Sequence, residues 1–224
     1  MKSQIYSNWR AVLFGAAIGF AAWSAMAQST AGIPLPDMDM PYQTVSVHED
    51  ANVVRVFFMG TCSYCRQAHA PLIRWGKSLP RTLKFEMTPV ASTDPAHMVG
   101  AAAYYAVERI SPGNTDLFME RVYSAIQDHR QPASDPRTYL AAARAIGIDP
   151  RVLNDAMRSK ENRDKVFAAA RMLARYKVDS TPSMAIGGRY VVGTEVTQGV
   201  NSNLFDLLNA VTSKYLIETG RGKG

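Results

Sequence analysis

The sequence predicts an α/β domain into which a block of helices is inserted. Residues 52–59 form a β-branched and aromatic run, which is typical of a central strand covered on both faces. Helical spacing dominates residues 94–177, and strand character returns at residues 183–192. The chain has 224 residues, of which 47% are hydrophobic and 20% charged, so it can form one domain with an insertion. This composition excludes a fully disordered, collagen-like or polytopic membrane chain.

The N-terminal residues have the three parts of a secretory signal peptide. Lys2 and Arg10 make a basic start, residues 11–22 are apolar, and residues 25–27 (Ala-Met-Ala) offer small side chains at both positions that determine cleavage. We therefore expect residues 1–27 to be a cleaved signal peptide and the mature protein to be periplasmic if the source is Gram-negative. An uncleaved membrane anchor is the alternative, because the apolar stretch approaches the ~20 residues that span a bilayer.

An extended arm and a short strand are predicted ahead of the central strand. Residues 28–42 contain three prolines and no periodicity, which predicts an extended leader arm. Residues 43–47 predict a short first strand, and residues 82–90 alternate well enough for a third one. The central strand at residues 52–59 lies between them in the chain and ends at a glycine.

Helices are predicted between and after these strands. Apolar positions recur at three- and four-residue spacing over residues 62–79, and prolines divide the helical residues 94–164 into several helices. The dipeptide Gly187-Gly188 between two β-runs is a hairpin signal. A closing amphipathic helix precedes a flexible tail at residues 219–224, and its apolar stripe consists of Leu204, Leu208, Val211 and Tyr215.

The charge pattern does not predict nucleic-acid binding. The formal net charge is +6 from 25 basic and 19 acidic residues, and it falls to +4 without Lys2 and Arg10 of the signal peptide. The densest basic stretch, residues 151–177, is interrupted by acids and has no nucleic-acid-binding motif. We interpret it as the solvated face of helices.

The candidate chemistry lies at the only two cysteines of the chain, Cys62 and Cys65. Two cysteines this close exclude a disulfide framework between distant loops. A strand that breaks and delivers Cys62 to a helix N-terminus favours its thiolate, and Arg66 adds a nearby cation. Cys65 comes one helical turn later and can form a disulfide with Cys62. We expect Cys62 to be the exposed nucleophile and Cys65 the shielded resolving thiol.

Other interpretations of the pair are weaker. A zinc site needs four ligands, and only His69 lies near in sequence. A covalent haem site would need a histidine where Arg66 stands. A structural bridge remains an alternative, although a loop this short constrains the unfolded chain little. We expect no metal and no cofactor beyond the Cys62-Cys65 disulfide, and we expect His69 to be a surface or hydrogen-bonded core residue.

Three features together resemble the DsbA-like branch of the thioredoxin superfamily. They are residues 57–65, with Phe-Phe-Met-Gly-Thr before Cys-Ser-Tyr-Cys, the long helical block that follows, and Thr181-Pro182 before the hairpin. The resemblance implies a thioredoxin fold with an inserted helical domain. Its thioredoxin-like domain would comprise residues 43–93 and 165–218, and the inserted helical domain residues 94–164.

The resemblance also implies roles for single residues. Pro182 would follow a cis peptide bond and face the two sulfurs, while the backbone of Thr181 would pair with the substrate chain. Ser63 and Tyr64 would form the central dipeptide that tunes the redox potential. One departure concerns proton transfer, because the position that matches a buried glutamate of DsbA is Val56 here.

We therefore expect a periplasmic thiol:disulfide oxidoreductase that acts as an oxidase on unfolded or partly folded exported proteins. A membrane redox partner is expected, nucleic acid is not, and the oligomeric state stays open. One alternative is a reductase or isomerase fed by a membrane electron donor. Another is a non-catalytic, chaperone-like module that binds peptides.

Overall fold

The computed structural model describes residues 40–220. The predicted signal peptide, residues 1–27, lies outside the described residues, as do most of the leader arm and the last residues of the predicted tail. Among the helices of residues 40–220, none has the length and apolarity needed to cross a membrane.

A five-stranded mixed sheet forms the centre of the described part of the chain. Its strands are β1 Gln43–Thr44, β2 Val53–Phe58, β3 Lys84–Pro89, β4 Ser183–Ile186 and β5 Tyr190–Gly193. Their order is β1-β5-β4-β2-β3, with β2 parallel to β3 and antiparallel to β4. The central position predicted for the run at residues 52–59 is confirmed, because β2 has a neighbour on each side.

Seven α-helices surround or extend this sheet within residues 40–220. They are α1 Ser63–Ser78, α2 Pro95–Ile110, α3 Thr115–Tyr123, α4 Pro136–Arg144, α5 Pro150–Arg158, α6 Lys160–Arg175 and α7 Ser202–Glu218. A π-helical turn at Ser124–Asp128 follows α3. Helix α6 continues through residues 164 and 165, where the sequence predicts the boundary between the insertion and the thioredoxin-like domain. The position of that boundary stays a prediction.

Asp-Pro pairs start three helices of the predicted insertion. Asp94, Asp135 and Asp149 each accept a hydrogen bond from a backbone N–H of the first turn. A proline follows each of them at the first helical position, where its missing N–H costs nothing. The prolines that divide the sequence into helices therefore also fix where those helices begin.

The two faces of the sheet are covered by different helices. Val54 and Val56 of β2 belong to a core cluster with residues of α1 and α7, including Leu72 and Leu208. On the opposite face Phe57 packs with residues of β4, β5 and the end of α6 in a second cluster. Strand β2 is therefore packed on both of its faces.

The predicted hairpin at Gly187-Gly188 is confirmed. Both glycines have positive φ, +61° and +66°, which glycine adopts without strain. The loop has three residues, 187–189, and not the two that the dipeptide predicts, because Ile186 pairs with Tyr190. A Cβ atom at Gly188 would lie 1.9 Å from the backbone oxygen of Val47. The turn therefore needs glycine for its backbone conformation and for its close approach to the chain before β2.

Candidate active site

Cys62 caps the N-terminus of α1. The chain leaves β2, turns at residues 59–61, and begins α1 at Ser63. The Sγ atom of Cys62 accepts a hydrogen bond from the backbone N–H of Cys65 at 3.1 Å. A sulfur in this position meets unpaired amides and the positive end of the helix dipole, and both favour a thiolate.

The loop before β4 approaches the same sulfur. The Cys62 thiol donates a hydrogen bond to the backbone carbonyl of Thr181 at 3.1 Å. The Thr181-Pro182 peptide bond is cis, as expected from its position. Among residues 40–220, the Thr181 hydroxyl has no hydrogen-bond partner in this thiol form. It lies near enough to lower the pKa of both cysteines.

The two cysteines have opposite acidities. Hydrogen bonding from the Cys65 thiol, helped by Thr181 and by backbone amides, lowers the pKa of Cys62 from 9.0 to about 6, against the effect of its own partial burial. Burial, followed by the contact with Cys62, raises the pKa of Cys65 far above its usual range. Cys62 is therefore the thiolate at neutral pH, and Cys65 keeps its proton.

Burial of the sulfurs agrees with this division. Cys65 is 2% exposed and lies in an apolar cluster with Phe58, Phe118 and Tyr123. Cys62 was expected to be exposed and is partly buried, whereas Cys65 is shielded as expected. The residues that cover Cys65 come from β2 and from helices α2 and α3.

The three residues expected to tune the thiols lie at the surface. Ser63 and Tyr64 are exposed, and the Tyr64 ring lies over Gly199, where an added Cβ would be 3.3 Å from it. Arg66 donates two hydrogen bonds to the carboxylate of Asp128, at 2.5 and 2.8 Å. That carboxylate neutralises the guanidinium, and the tuning role of these residues stays a prediction.

A π-helical turn supplies contacts that the sequence analysis did not find. From Ser124–Asp128, the Gln127 side chain donates to the carbonyls of Gly60 and Cys62, at 2.9 and 3.1 Å. Single π-helical turns are frequent at functional sites. Gln127 and Asp128 thus tie the active-site turn to the inserted helices. The sequence carries no local signal for this, because Gln127 is an ordinary polar residue at the start of a polar stretch, residues 127–131.

His69 and the acids near the site differ in part from expectation. His69 is 4% exposed, yet its ring nitrogens make no hydrogen bond within residues 40–220, so the hydrogen-bonded core alternative is wrong. Val56 is fully buried and supplies no acid. Glu86 forms ion pairs with Arg55 and Lys84, at 2.9 and 2.6 Å.

Three features of the site occur together on an α/β sheet. They are a thiolate that caps a helix, a shielded second thiol one turn later, and a cis-proline loop that approaches the first sulfur. This combination defines a thiol:disulfide oxidoreductase. The family comparison agrees with this class. Residues 66–205 match the model described as a DSBA-like thioredoxin domain. This is more than half of the chain, and the protein therefore belongs to that family. The match begins just after Cys65, so the cysteine pair is identified by its own sequence and geometry.

Individual relatives support the same assignment. The thiol:disulfide interchange protein DsbA of Burkholderia cepacia is 24% identical over 185 residues, which cover 82% of this chain and 86% of that protein. The crystal structure of Pseudomonas aeruginosa DsbA has a TM-score of 0.68 at 19% identity, covering 81% of this chain and 93% of that one. DsbA from Xylella fastidiosa gives a TM-score of 0.64 at 19% identity, covering 81% and 95%. The two structures show the fold alone, a thioredoxin fold with inserted helices.

Proposed function

We propose that this protein is a periplasmic oxidase that introduces disulfide bonds into exported proteins. The observation that carries the proposal is the position of the Cys62 sulfur at the N-terminus of α1, where it accepts a hydrogen bond from the Cys65 backbone N–H at 3.1 Å. Its contacts lower the pKa of Cys62 to about 6. Contacts that stabilise the thiolate stabilise the reduced protein, and a disulfide whose reduced form is stabilised is a better oxidant. The predicted signal peptide at residues 1–27 supports the compartment, in which disulfides persist.

The proposed cycle uses two exchange steps. A substrate thiolate attacks Sγ of Cys62, the Cys62–Cys65 bond breaks, and Cys65 leaves with the electron pair and gains a proton. A second substrate thiolate then attacks the substrate sulfur of the mixed disulfide, and Cys62 leaves as a thiolate. The substrate is oxidised by two electrons and the protein is reduced, so an oxidant must regenerate the Cys62–Cys65 disulfide, and a membrane redox partner is the one we expect.

Thr181 and Pro182 are the proposed substrate-binding residues. The Thr181 carbonyl lies 3.1 Å from Sγ of Cys62, so an extended peptide that pairs with this backbone would pass beside the reactive sulfur. Backbone pairing recognises no particular sequence and requires an extended chain. Unfolded or partly folded exported proteins fit this requirement.

Equilibration of the purified protein with glutathione buffers tests the direction of electron flow. We expect a potential between about −120 mV, typical of DsbA, and about −270 mV, typical of thioredoxin. A value at the thioredoxin end would overturn the oxidase proposal and favour the reductase or isomerase alternative. The absence of an acid at Val56 is the feature that favours this alternative.

The chaperone-like alternative is tested by turnover. Wild type and Cys62→Ser are compared for oxidation of a reduced protein substrate and for suppression of its aggregation. The oxidase proposal predicts that only the first activity depends on Cys62. Equal behaviour of both proteins in the oxidation assay would leave the binding module as the function.

A further inference from the structure

Three buried polar atoms without a hydrogen-bond partner lie close together between α1 and α3, near Cys65. His69 and Tyr123 are 4% and 1% exposed. Neither nitrogen of the His69 ring nor the Tyr123 hydroxyl has a hydrogen-bond partner among the described residues 40–220. Roughly nine-tenths of buried polar groups in proteins are hydrogen-bonded. A group of exceptions beside a redox site therefore suggests a function.

Helix geometry places His69 next to Cys65. The two residues are four apart on α1, so they share a face, with about 5–6 Å between their Cβ atoms. The imidazole makes no direct hydrogen bond to the Cys65 sulfur, so a proton passing between them would move through one enclosed water. Tyr123 closes the group, because its ring packs edge-on against His69 with centroids 5.7 Å apart. Burial, and then the charge of Cys65, raise the pKa of Tyr123.

Asp116 connects this group with solvent. Its Oδ1 lies 3.6 Å from Nε2 of His69, and its side chain is 50% exposed while that of His69 is 5% exposed. The contact with His69 lowers the pKa of Asp116, so this carboxylate stays ionised. The order from the interior outward is thus Cys65, His69, Asp116 and water.

The exchange reaction requires proton transfer at Cys65. Burial raises the pKa of its thiol, so a thiolate that leaves there must be protonated, and a thiol that attacks from there must first lose its proton. At Val56, on the face of β2 toward α1 and α7, there is no titratable group. Solvent does not reach Cys65, which is 2% exposed.

We propose that His69, positioned by Asp116, exchanges the proton of Cys65 with solvent during each turnover. When the Cys62–Cys65 bond breaks, Cys65 leaves with the electron pair and takes a proton from the imidazolium, which is reprotonated past Asp116. In the reverse direction, Cys65 gives its proton to the imidazole and attacks Sγ of Cys62, and the substrate thiolate leaves. This inference rests on the exchange chemistry and not on the proposed direction of electron flow.

The pH dependence of the proton transfer between Cys65 and His69 also depends on the titratable groups around these two residues. They are Cys62 at the N-cap of α1, Cys65 and Lys77 on α1, Tyr104 on α2, and Asp116 and Tyr123 on α3. Cys62 titrates near neutrality, so the assay must separate its ionisation from the proton transfer at Cys65. Measuring the two exchange steps one by one achieves this.

The test mixes the reduced protein with excess oxidised glutathione, quenches with acid and follows the species by mass spectrometry. Two rates result, for formation of the glutathione mixed disulfide on Cys62 and for its resolution by Cys65. In His69→Phe, which keeps a ring of similar size, we expect resolution to slow at least tenfold while formation stays within about twofold. The slowing should persist as pH rises, because Cys65 is 2% exposed and hydroxide from solvent does not reach its proton.

Two further variants make the result decisive. His48→Gln alters an exposed histidine on the 3₁₀ turn before β2 and should change neither rate. Asp116→Asn changes the half-exposed carboxylate beside His69, and a change at so exposed a position should leave the fold intact. It should slow resolution less than His69→Phe does. If His69→Phe does not fold, the resolution rate of Asp116→Asn tests the proposal instead.

The proposal is overturned if resolution keeps its wild-type rate in a folded His69→Phe, or in Asp116→Asn when His69→Phe is unfolded. Equal slowing of formation and resolution would also overturn it, because that pattern indicates a structural role. A reducing potential in the glutathione equilibrium would reject the oxidase function without altering the ratio of these two rates. The two proposals can therefore fail separately.

Discussion

Replacing Cys65 by alanine should raise the pKa of Cys62. The largest cause of that low pKa is hydrogen bonding from the Cys65 thiol, while the Cys65 backbone N–H, 3.1 Å from Sγ of Cys62, contributes as well. Cys65→Ala removes the first contact and keeps the second. Cys65→Ser is the matched control, because its hydroxyl can still donate to the thiolate.

The size of the effect follows from the two pKa values. A fall from 9.0 to about 6 corresponds to roughly 4 kcal/mol at 1.36 kcal/mol per unit, and solvent screening at the half-buried sulfur reduces this to about 2 kcal/mol. A hydrogen bond to a charged group contributes about 1.5–3 kcal/mol before such screening. Loss of the Cys65 donor should therefore raise the pKa of Cys62 by about one unit.

The rate of alkylation of Cys62 against pH measures this shift, and thiolate absorbance provides a second measurement. At pH 7 the ionised fraction should fall from about nine-tenths in wild type to about half in Cys65→Ala. In Cys65→Ser it should stay near the wild-type value. Equal pKa values in the alanine and serine variants would refute the reasoning, because the backbone amides and helix dipole would then account for the whole effect.

The same pKa makes the stability of the reduced protein depend on pH. The folded-state pKa of Cys62, about 6, is lower than the unfolded value of about 8.5. Ionisation therefore stabilises the reduced fold fully above about pH 8.5, and this stabilisation is lost as the pH falls through about 6. Urea unfolding of reduced wild type and Cys62→Ser across this range should show curves that converge at low pH.

Three further predictions concern the contacts that hold the site and the sheet, each measured by urea unfolding. Gln127→Leu removes two hydrogen bonds to the active-site turn and should cost about 1–2 kcal/mol; an unchanged midpoint would mean that water replaces them. Asp50→Ala leaves the buried guanidinium of Arg55, 11% exposed, without its closest carboxylate, and should lower the free energy of unfolding by about 3 kcal/mol. The control Glu49→Ala removes an exposed ion pair and should lower it by less than about 1 kcal/mol. Gly188→Ala should cost more than about 2 kcal/mol because of its φ of +66° and the approach of Val47; a wild-type midpoint would contradict this geometry.

Much of the fold could be predicted because its signals are local. The run at residues 52–59 predicts β2, and Gly187-Gly188 predicts the hairpin within one residue of its observed strands. The cysteine pair was predictable as a site since a strand, a break and a helix follow one another in the sequence. Each of these inferences needs only neighbouring residues, whose periodicity and turn chemistry report backbone geometry directly.

The missed contacts join residues far apart in the chain. Arg55 lies in an apolar strand, and nothing nearby in sequence shows that Tyr176 would donate to its partner Asp50 from 126 residues away. Gln127 reaches Gly60 across 67 residues from a π-helical turn, which has no propensity signature. Local pattern identifies which face of a helix is buried, but it does not specify which polar residue the fold brings to that face.

These long-range contacts explain how one short motif can hold two thiols of opposite acidity. Cys62, at the N-cap of α1, contacts the helix amides and the cis-proline loop. Cys65, one turn further, is covered by side chains of the inserted helices. The difference therefore depends on the insertion as much as on the motif itself. Substitutions in α3 or in the π-helical turn that admit water to Cys65 should narrow the gap between the two pKa values. They would change the redox potential while leaving the Cys-Ser-Tyr-Cys segment unaltered, since covering Cys65 is what keeps its proton in place.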